Sequence, residues 1–206
     1  MRNIFVTGIG TDVGKTVVSA ILVEALQADY WKPVQCGSLD YTDTLVVRDL
    51  VGNSKSVFHP EAYLLTEPMS PHAAAIIDGV QIKVSAIHQP ITNNQYLIIE
   101  PAGGLMVPLN DTELVIDLIQ HFEAEVVLVS QNYLGSINHT ILSVEALKAR
   151  GLSVLGIIFN GEHNESSENF ILQYSGFRFL GRVDQEKEIT PLMIQKYVQQ
   201  FRHELG

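Results

Sequence analysis

Apolar residues fall along this chain in two recurring patterns. Short unbroken runs, Ile4-Phe5-Val6, Tyr96-Leu97-Ile98-Ile99, Val126-Val127-Leu128-Val129 and the stretch from Val154 to Phe159, read as strands buried on both faces. Between them, apolar positions recur three and four apart. These stretches predict amphipathic helices from about Thr16 to Ala28, from Thr42 or Asp43 to Leu50, from about Thr112 to Phe122, from Leu134 to Ala149, from Ser166 to Tyr174 and from Pro191 to about His203. Tyr30-Trp31-Lys32-Pro33-Val34 favours a second strand that ends in a Gly37-Ser38 turn, and a last strand is expected around Phe177 to Val183. Residues Pro60 to Pro71, with three prolines, read as a loop before a short helix from Ala73 to Ile77. Alternating strands and helices predict a single α/β domain over residues 1–206, built on one doubly wound, mostly parallel sheet. Right-handed crossovers in such a sheet bring the C-terminal ends of the strands to one edge.

Composition narrows the class. At 206 residues and 46% apolar content the chain suits one well-buried core. A formal charge of −10 argues against a nucleic-acid partner and against an anionic membrane surface. No run of about 18 apolar residues is present for a membrane span, and Met1-Arg2-Asn3 leads straight into a strand without a signal-peptide pattern. The single cysteine, Cys36, precludes an internal disulfide and suits a reducing, cytoplasmic setting.

The first strand runs into Thr7-Gly8-Ile9-Gly10-Thr11-Asp12-Val13-Gly14-Lys15-Thr16, a glycine-rich turn feeding a helix. Such a turn points successive N–H groups into one concavity, and the helix start adds its positive dipole end. Lys15 supplies a point charge for the outer phosphates, and the Thr16 hydroxyl is placed for Mg²⁺. The stretch from Asp12 through Val13, Gly14, Lys15 and Thr16 to Val17 is therefore expected to cradle the triphosphate of ATP, with Thr11 donating to phosphate oxygens. In the usual pattern four residues separate the glycines. Here Ile9 falls on the first glycine's place, and counting from Gly8 gives one residue more.

Other polar residues sit at predicted strand ends, on the edge where open parallel sheets bind ligands. Glu100 ends its strand abruptly and can hold Mg²⁺ directly or through water. Pro101-Ala102-Gly103 follows it, small enough to let backbone approach a nucleotide. Lys32 lies near the end of the second strand, where a surface lysine and an active-site lysine are equally consistent with the residues alone. Asp43 reads as a helix cap or as an active-site carboxylate. Ser136 and Asn138 open a helix and make its start an anion site. Asn160, beside Gly161, has an amide able to offer a donor and an acceptor to adenine, or to serve a turn.

Gly-x-x-Thr-x-Val-Gly-Lys-Thr at the N-terminus, Lys32-Pro33-Val34, Glu100 followed by Ala102-Gly103-Gly104, and Leu134-Gly135-Ser136-Ile137-Asn138-His139 together resemble the dethiobiotin synthetase family, in order and over nearly the whole chain. The resemblance implies a P-loop fold and a ligase that uses ATP, CO₂ and 7,8-diaminopelargonate. It implies that Lys32, with Lys15 and Thr11, is catalytic and that Thr16, Asp43 and Glu100 hold Mg²⁺. It further implies that Cys36, Ser136 and Asn138 meet the diamine, that Asn160 and Gly161 face adenine, and that a homodimer forms with the substrate site at its interface. Glu67 to His72 resembles a family loop that covers the substrate, and His72 is assigned no catalytic role. The chain departs from the family at Ile9-Gly10, at Cys36 where a hydroxyl is usual, at Pro101 where glycine is usual, and at Asp184 where proline is usual.

Two rivals share the loop. An amide ligase of the cobyrinate type would carry an added glutamine-hydrolysing domain, for which this chain has no room. An ATPase switch of the partition or septum-positioning type would carry an extra lysine early in the loop, and no lysine precedes Lys15.

Overall fold

The computed structural model describes residues 1–206. Seven strands form one parallel sheet: β1 (Arg2–Gly8), β2 (Asp29–Trp31), β4 (Phe58–His59), β6 (Tyr96–Ile99), β7 (Glu125–Gln131), β8 (Val154–Asn160) and β9 (Phe179–Val183). Their spatial order is β4-β2-β6-β1-β7-β8-β9, and every pairing is parallel. Two further short strands, β3 (Val34–Cys36) and β5 (Tyr63–Leu65), pair with each other outside this sheet. Successive strand residues feed opposite cores. Phe5, Trp31, Leu97, Ile99, Leu128 and Phe159 enter one cluster of 26 buried residues. Ile4, Val6, Tyr30, Ile98, Val127 and Ile158 enter another of 25. With both faces covered almost equally, the unbroken apolar runs of the strands are explained.

Helices α1 (Lys15–Leu26), α2 (Asp43–Leu50) and α7 (Pro191–Leu205) cover one face, where α1 packs on both of the others. Glu24 of α1 ties this layer together, accepting the N–H groups of Gly52 and Asn53 at 2.9 and 3.0 Å and the side-chain amide of Gln195 at 2.8 Å. Helices α3 (Pro71–Ile77), α4 (Val115–His121), α5 (Ser136–Ala149) and α6 (Glu165–Ser175) lie with the other core.

The architecture is the doubly wound parallel sheet that the patterning predicts, with local differences. The expected second strand is two strands, because Pro33 has no N–H to continue a ladder and the chain leaves the main sheet there. Within the proline-rich loop, Tyr63–Leu65 finds a strand partner in β3. Helix α4 starts at Val115 rather than near Thr112 because Asn110 Oδ1 accepts the N–H groups of Thr112 and Glu113, both at 2.9 Å, and holds a turn there. The last strand begins at Phe179, after Gly176 has closed α6 in a left-handed conformation.

Candidate active site

The C-terminal ends of β1, β2 and β6 open into a cleft of about 610 Å³. Its floor is the turn after β1. A Cβ on Gly8 would stand 2.4 Å from Val13 Cγ2, whereas one on Gly10 would meet nothing within 4 Å, so the close packing starts at Gly8. Asp12 (φ 58°) and Gly14 (φ 92°) both take left-handed conformations, which concentrates N–H groups on one side of the turn. Helix α1 then begins with no side-chain cap and no acidic residue in its first turn, which leaves its first N–H groups and dipole end to an anion. Lys15 folds back over the turn and donates from Nζ to the Gly10 carbonyl at 2.8 Å. Burial pulls its pKa below that of an ordinary lysine, against the opposing pull of Glu100.

The second wall is built where β2 breaks. Lys32 is buried, and its ammonium lies 2.7 Å from Asp43 Oδ2, 3.7 Å from Glu100 Oε1 and 3.3 Å from the Pro101 carbonyl. Burial alone would depress its pKa, but the charges of Glu100 and Asp43 outweigh that and raise it, so Lys32 is a cation. Thr42 caps α2, accepting from the Leu45 N–H at 3.4 Å, which leaves the Asp43 carboxylate to face Lys32. Glu100 is 1% exposed, and each of its oxygens has a fixed neighbour: the Thr16 hydroxyl donates to Oε1 at 2.7 Å and the Tyr30 hydroxyl to Oε2 at 3.0 Å.

Thr11, Asp12, Gly14, Lys15, Thr16, Val17, Lys32, Cys36, Asp43, Glu100, Pro101, Ala102 and Gly103 thus meet in one cleft. The loop Pro68-Met69-Ser70-Pro71 closes its far side. Cys36 is half-buried; burial, opposed by Lys32, pushes its thiol up to about 11, so it is no thiolate nucleophile at neutral pH. His72 stays outside the cleft, its N–H donating to the Pro108 carbonyl at 3.2 Å.

Five expected site residues lie elsewhere. Val13 is buried in the core, and its carbonyl accepts from the Asn160 amide at 3.0 Å. Gly161 follows at the end of β8, its N–H bonded to the Val183 carbonyl at 2.8 Å. Neither Asn160 nor Gly161 lines the cleft. Ser136 and Asn138 are also outside it; α5 is capped by Gly135, the Ser136 hydroxyl accepts the Tyr133 N–H at 3.3 Å, and Asn138 is exposed. At the remaining departure, the Asp184 N–H, a donor that proline would lack, is bonded to the Tyr197 hydroxyl at 3.1 Å.

Two residues absent from the sequence reading help to build the site. Tyr30 orients Glu100, and its position two residues before Lys32 on extended chain was the available signal, since such residues share a face. Gln35 lines the cleft and accepts the Asp43 N–H at 3.3 Å while donating to the Gly37 carbonyl at 2.9 Å; nothing in its local sequence marks that bridging role.

A family model described as an AAA domain matches residues 2–192. Among curated proteins, the ATP-dependent dethiobiotin synthetase BioD of Cytophaga hutchinsonii is 54% identical over 96% of this chain and 95% of its own length. That of Christiangramia forsetii is 50% identical over 99% and 98%, and that of Chlamydia pneumoniae 45% over 98% and 90%. Among solved structures, the cell division ATPase MinD of Pyrococcus furiosus superposes with a TM-score of 0.65 at 16% identity, over 99% of this chain and 98% of that one. A plasmid partition protein of Borrelia burgdorferi bound to AMPPNP gives 0.60 at 11%, over 99% of each chain. At such identities these two show a shared P-loop fold and nothing about activity.

Proposed function

The chain belongs to the ATP-dependent dethiobiotin synthetase family, ligases of biotin biosynthesis that form C–N bonds, and on that premise we propose how its cleft performs the reaction. One amine of 7,8-diaminopelargonate takes up CO₂ as a carbamate. The carbamate oxygen attacks the γ-phosphorus of ATP and ADP leaves. The second amine then attacks the carbonyl carbon of the mixed anhydride, expelling phosphate and closing the cyclic urea of dethiobiotin. The substrate supplies both nucleophiles, so the protein's task is to hold negative charge in place.

The observation that carries this reading is the meeting of the phosphate turn, Lys15 and Lys32 in one cleft. The turn's N–H groups and Lys15 face the triphosphate, and the Thr11 hydroxyl donates to phosphate or carbamate oxygens. Lys32, a buried cation, sits where the carbamate and the moving phosphoryl group gather charge. Cys36 and Gln35 shape the wall on which the diamine lies.

The donors fit Mg²⁺. Thr16, Asp43 and Glu100 offer only hard oxygen atoms, with the Thr16 hydroxyl already 2.7 Å from Glu100. When bound, Mg²⁺ would neutralise charge on the β- and γ-phosphate oxygens.

A homodimer is part of the proposal. The start of α5 carries Ser136 and Asn138 outside the cleft of their own chain, beside a fully exposed Leu134 and an exposed Leu142. An apolar surface at that point supports a second chain whose cleft receives the helix start. No helix is long and apolar enough to cross a membrane, and a cytoplasmic, small-molecule enzyme is the setting we propose.

The test is coupling of ATP use to the diamine. The buried Glu100 is held by Thr16 and Tyr30 and Asp43 by Lys32, which leaves neither as a free base for water. ADP formation should therefore rise at least tenfold on adding 7,8-diaminopelargonate and bicarbonate. Equal rates with and without the diamine would overturn the proposal.

A further inference from the structure

Asn160 closes β8, in register with Gln131 of β7 on one side and Val183 of β9 on the other. Its side-chain amide crosses to the phosphate turn, donating from Nδ2 to the Val13 carbonyl at 3.0 Å. The approach is tight: a Cβ on Gly14 would stand 2.2 Å from that same nitrogen. The amide therefore packs directly on the peptide joining Val13 to Gly14, which only glycine at residue 14 allows.

That contact has a geometric consequence. In a trans peptide the carbonyl and the N–H point to opposite sides, and this chain has no cis bonds. With the Val13 carbonyl drawn toward Asn160, the Gly14 N–H is turned the other way. Gly14 lines the cleft and Val13 does not. A flip of this peptide would put a carbonyl oxygen, the wrong end of the dipole, against a phosphate. The anchor is itself secured: Gly161 N–H bonds the Val183 carbonyl at 2.8 Å, and Arg182, paired with buried Glu168, donates to the Gly161 carbonyl at 3.3 Å.

We propose that Asn160 is a positioning residue of the phosphate-binding turn, holding the Val13–Gly14 peptide in the orientation that presents its N–H to the triphosphate. The role is distinct from any contact with the nucleobase, because the side-chain Oδ1 and the second Nδ2 hydrogen remain for that purpose. It rests on the reading of this turn as a triphosphate site.

Inorganic tripolyphosphate separates the two roles, since it has phosphates and no base. Its affinity and that of ATP, each with Mg²⁺, are measured by calorimetry for the parent, Asn160→Ala and the near-isosteric Asn160→Asp. Loss of about tenfold in tripolyphosphate affinity in both variants is expected. Unchanged tripolyphosphate affinity beside weakened ATP binding would make Asn160 a base reader only and overturn the proposal. Amide exchange of ligand-free protein gives an independent readout: residues 11–16 should exchange faster in Asn160→Asp while the core of β8 does not, and unaltered exchange in the turn would overturn the tether. A parent that binds neither ligand would sink the triphosphate reading itself, with the exchange result still deciding whether the tether exists.

Discussion

Lys32, in the break between β2 and β3, reaches Asp43 at the start of α2, with its ammonium 2.7 Å from the Asp43 carboxylate and 3.7 Å from Glu100. A lysine that is 3% exposed is costly to bury unless such partners hold it charged. Pro33 cannot continue the ladder, so β2 ends at Trp31 and the chain turns out of the sheet at Lys32, whose side chain enters the cleft.

Replacing Lys32 by glutamine removes the cation and keeps most of the volume. The Lys32→Gln protein is expected to bind ATP and to lose product formation by a factor on the order of 10². Steady-state turnover beside calorimetric ATP binding checks this. Parent-like turnover would make the lysine a structural counter-ion to Asp43.

Cys36 invites misreading as a nucleophile because it lines the cleft. With its thiol raised from 9.0 to about 11, chiefly by burial, the thiolate is about 100-fold scarcer at pH 8 than in an unperturbed cysteine. Iodoacetamide should accordingly label the native protein far more slowly than the urea-unfolded chain, and Cys36→Ser should keep activity within about tenfold of the parent. Rapid native labelling, or an inactive but folded serine variant that binds ATP, would contradict this.

Asp29 provides a pH-dependent element of stability away from the cleft. It is 1% exposed, and burial alone would raise its pKa. Hydrogen bonds from Thr92, the Val57 N–H, His59 and Asn94 outweigh burial and hold it below the ordinary 3.8. A depressed carboxylate contributes stability above its unfolded pKa and loses it as pH falls through the folded one. Asp29→Asn should therefore cost about 2 kcal/mol at pH 7, and the gap to the parent should narrow toward pH 3 in urea melts. A gap that is constant over this range would show that ionisation of Asp29 is irrelevant to stability.

Much of the fold was legible because the strands are buried on both faces, so that runs such as Val126 to Val129 stand out whatever surrounds them. What local pattern could not convey were contacts between distant segments. The split at Pro33 was visible as a proline, but the pairing of Val34–Cys36 with Tyr63–Leu65 depends on a partner 29 residues on. The late start of α4 depends on an Asn110 side chain. At the site, the glycine-rich turn feeding α1 was legible, with Thr11, Asp12 and Gly14 to Val17 lining the cleft while Val13 packs into the core, and Glu100 was legible as a charge ending an apolar strand. Lys32 and Asp43 were ambiguous from the residues alone, and the geometry pairs them. Tyr30 and Gln35 act through neighbours 70 and 8 residues away, and such bridges carry no local signature.

We propose that the charges of Lys15 and Lys32 serve a carbamate made from CO₂, which ATP activates as a mixed anhydride before the second amine of the same molecule closes the ring. Labelled bicarbonate, supplied with ATP, Mg²⁺ and 7,8-diaminopelargonate, tests it most directly, because a free carbamate loses its label in acid and a closed cyclic urea does not. Label is expected in an acid-stable product, one mole for each mole of ADP formed. ADP formation with no acid-stable label would contradict it.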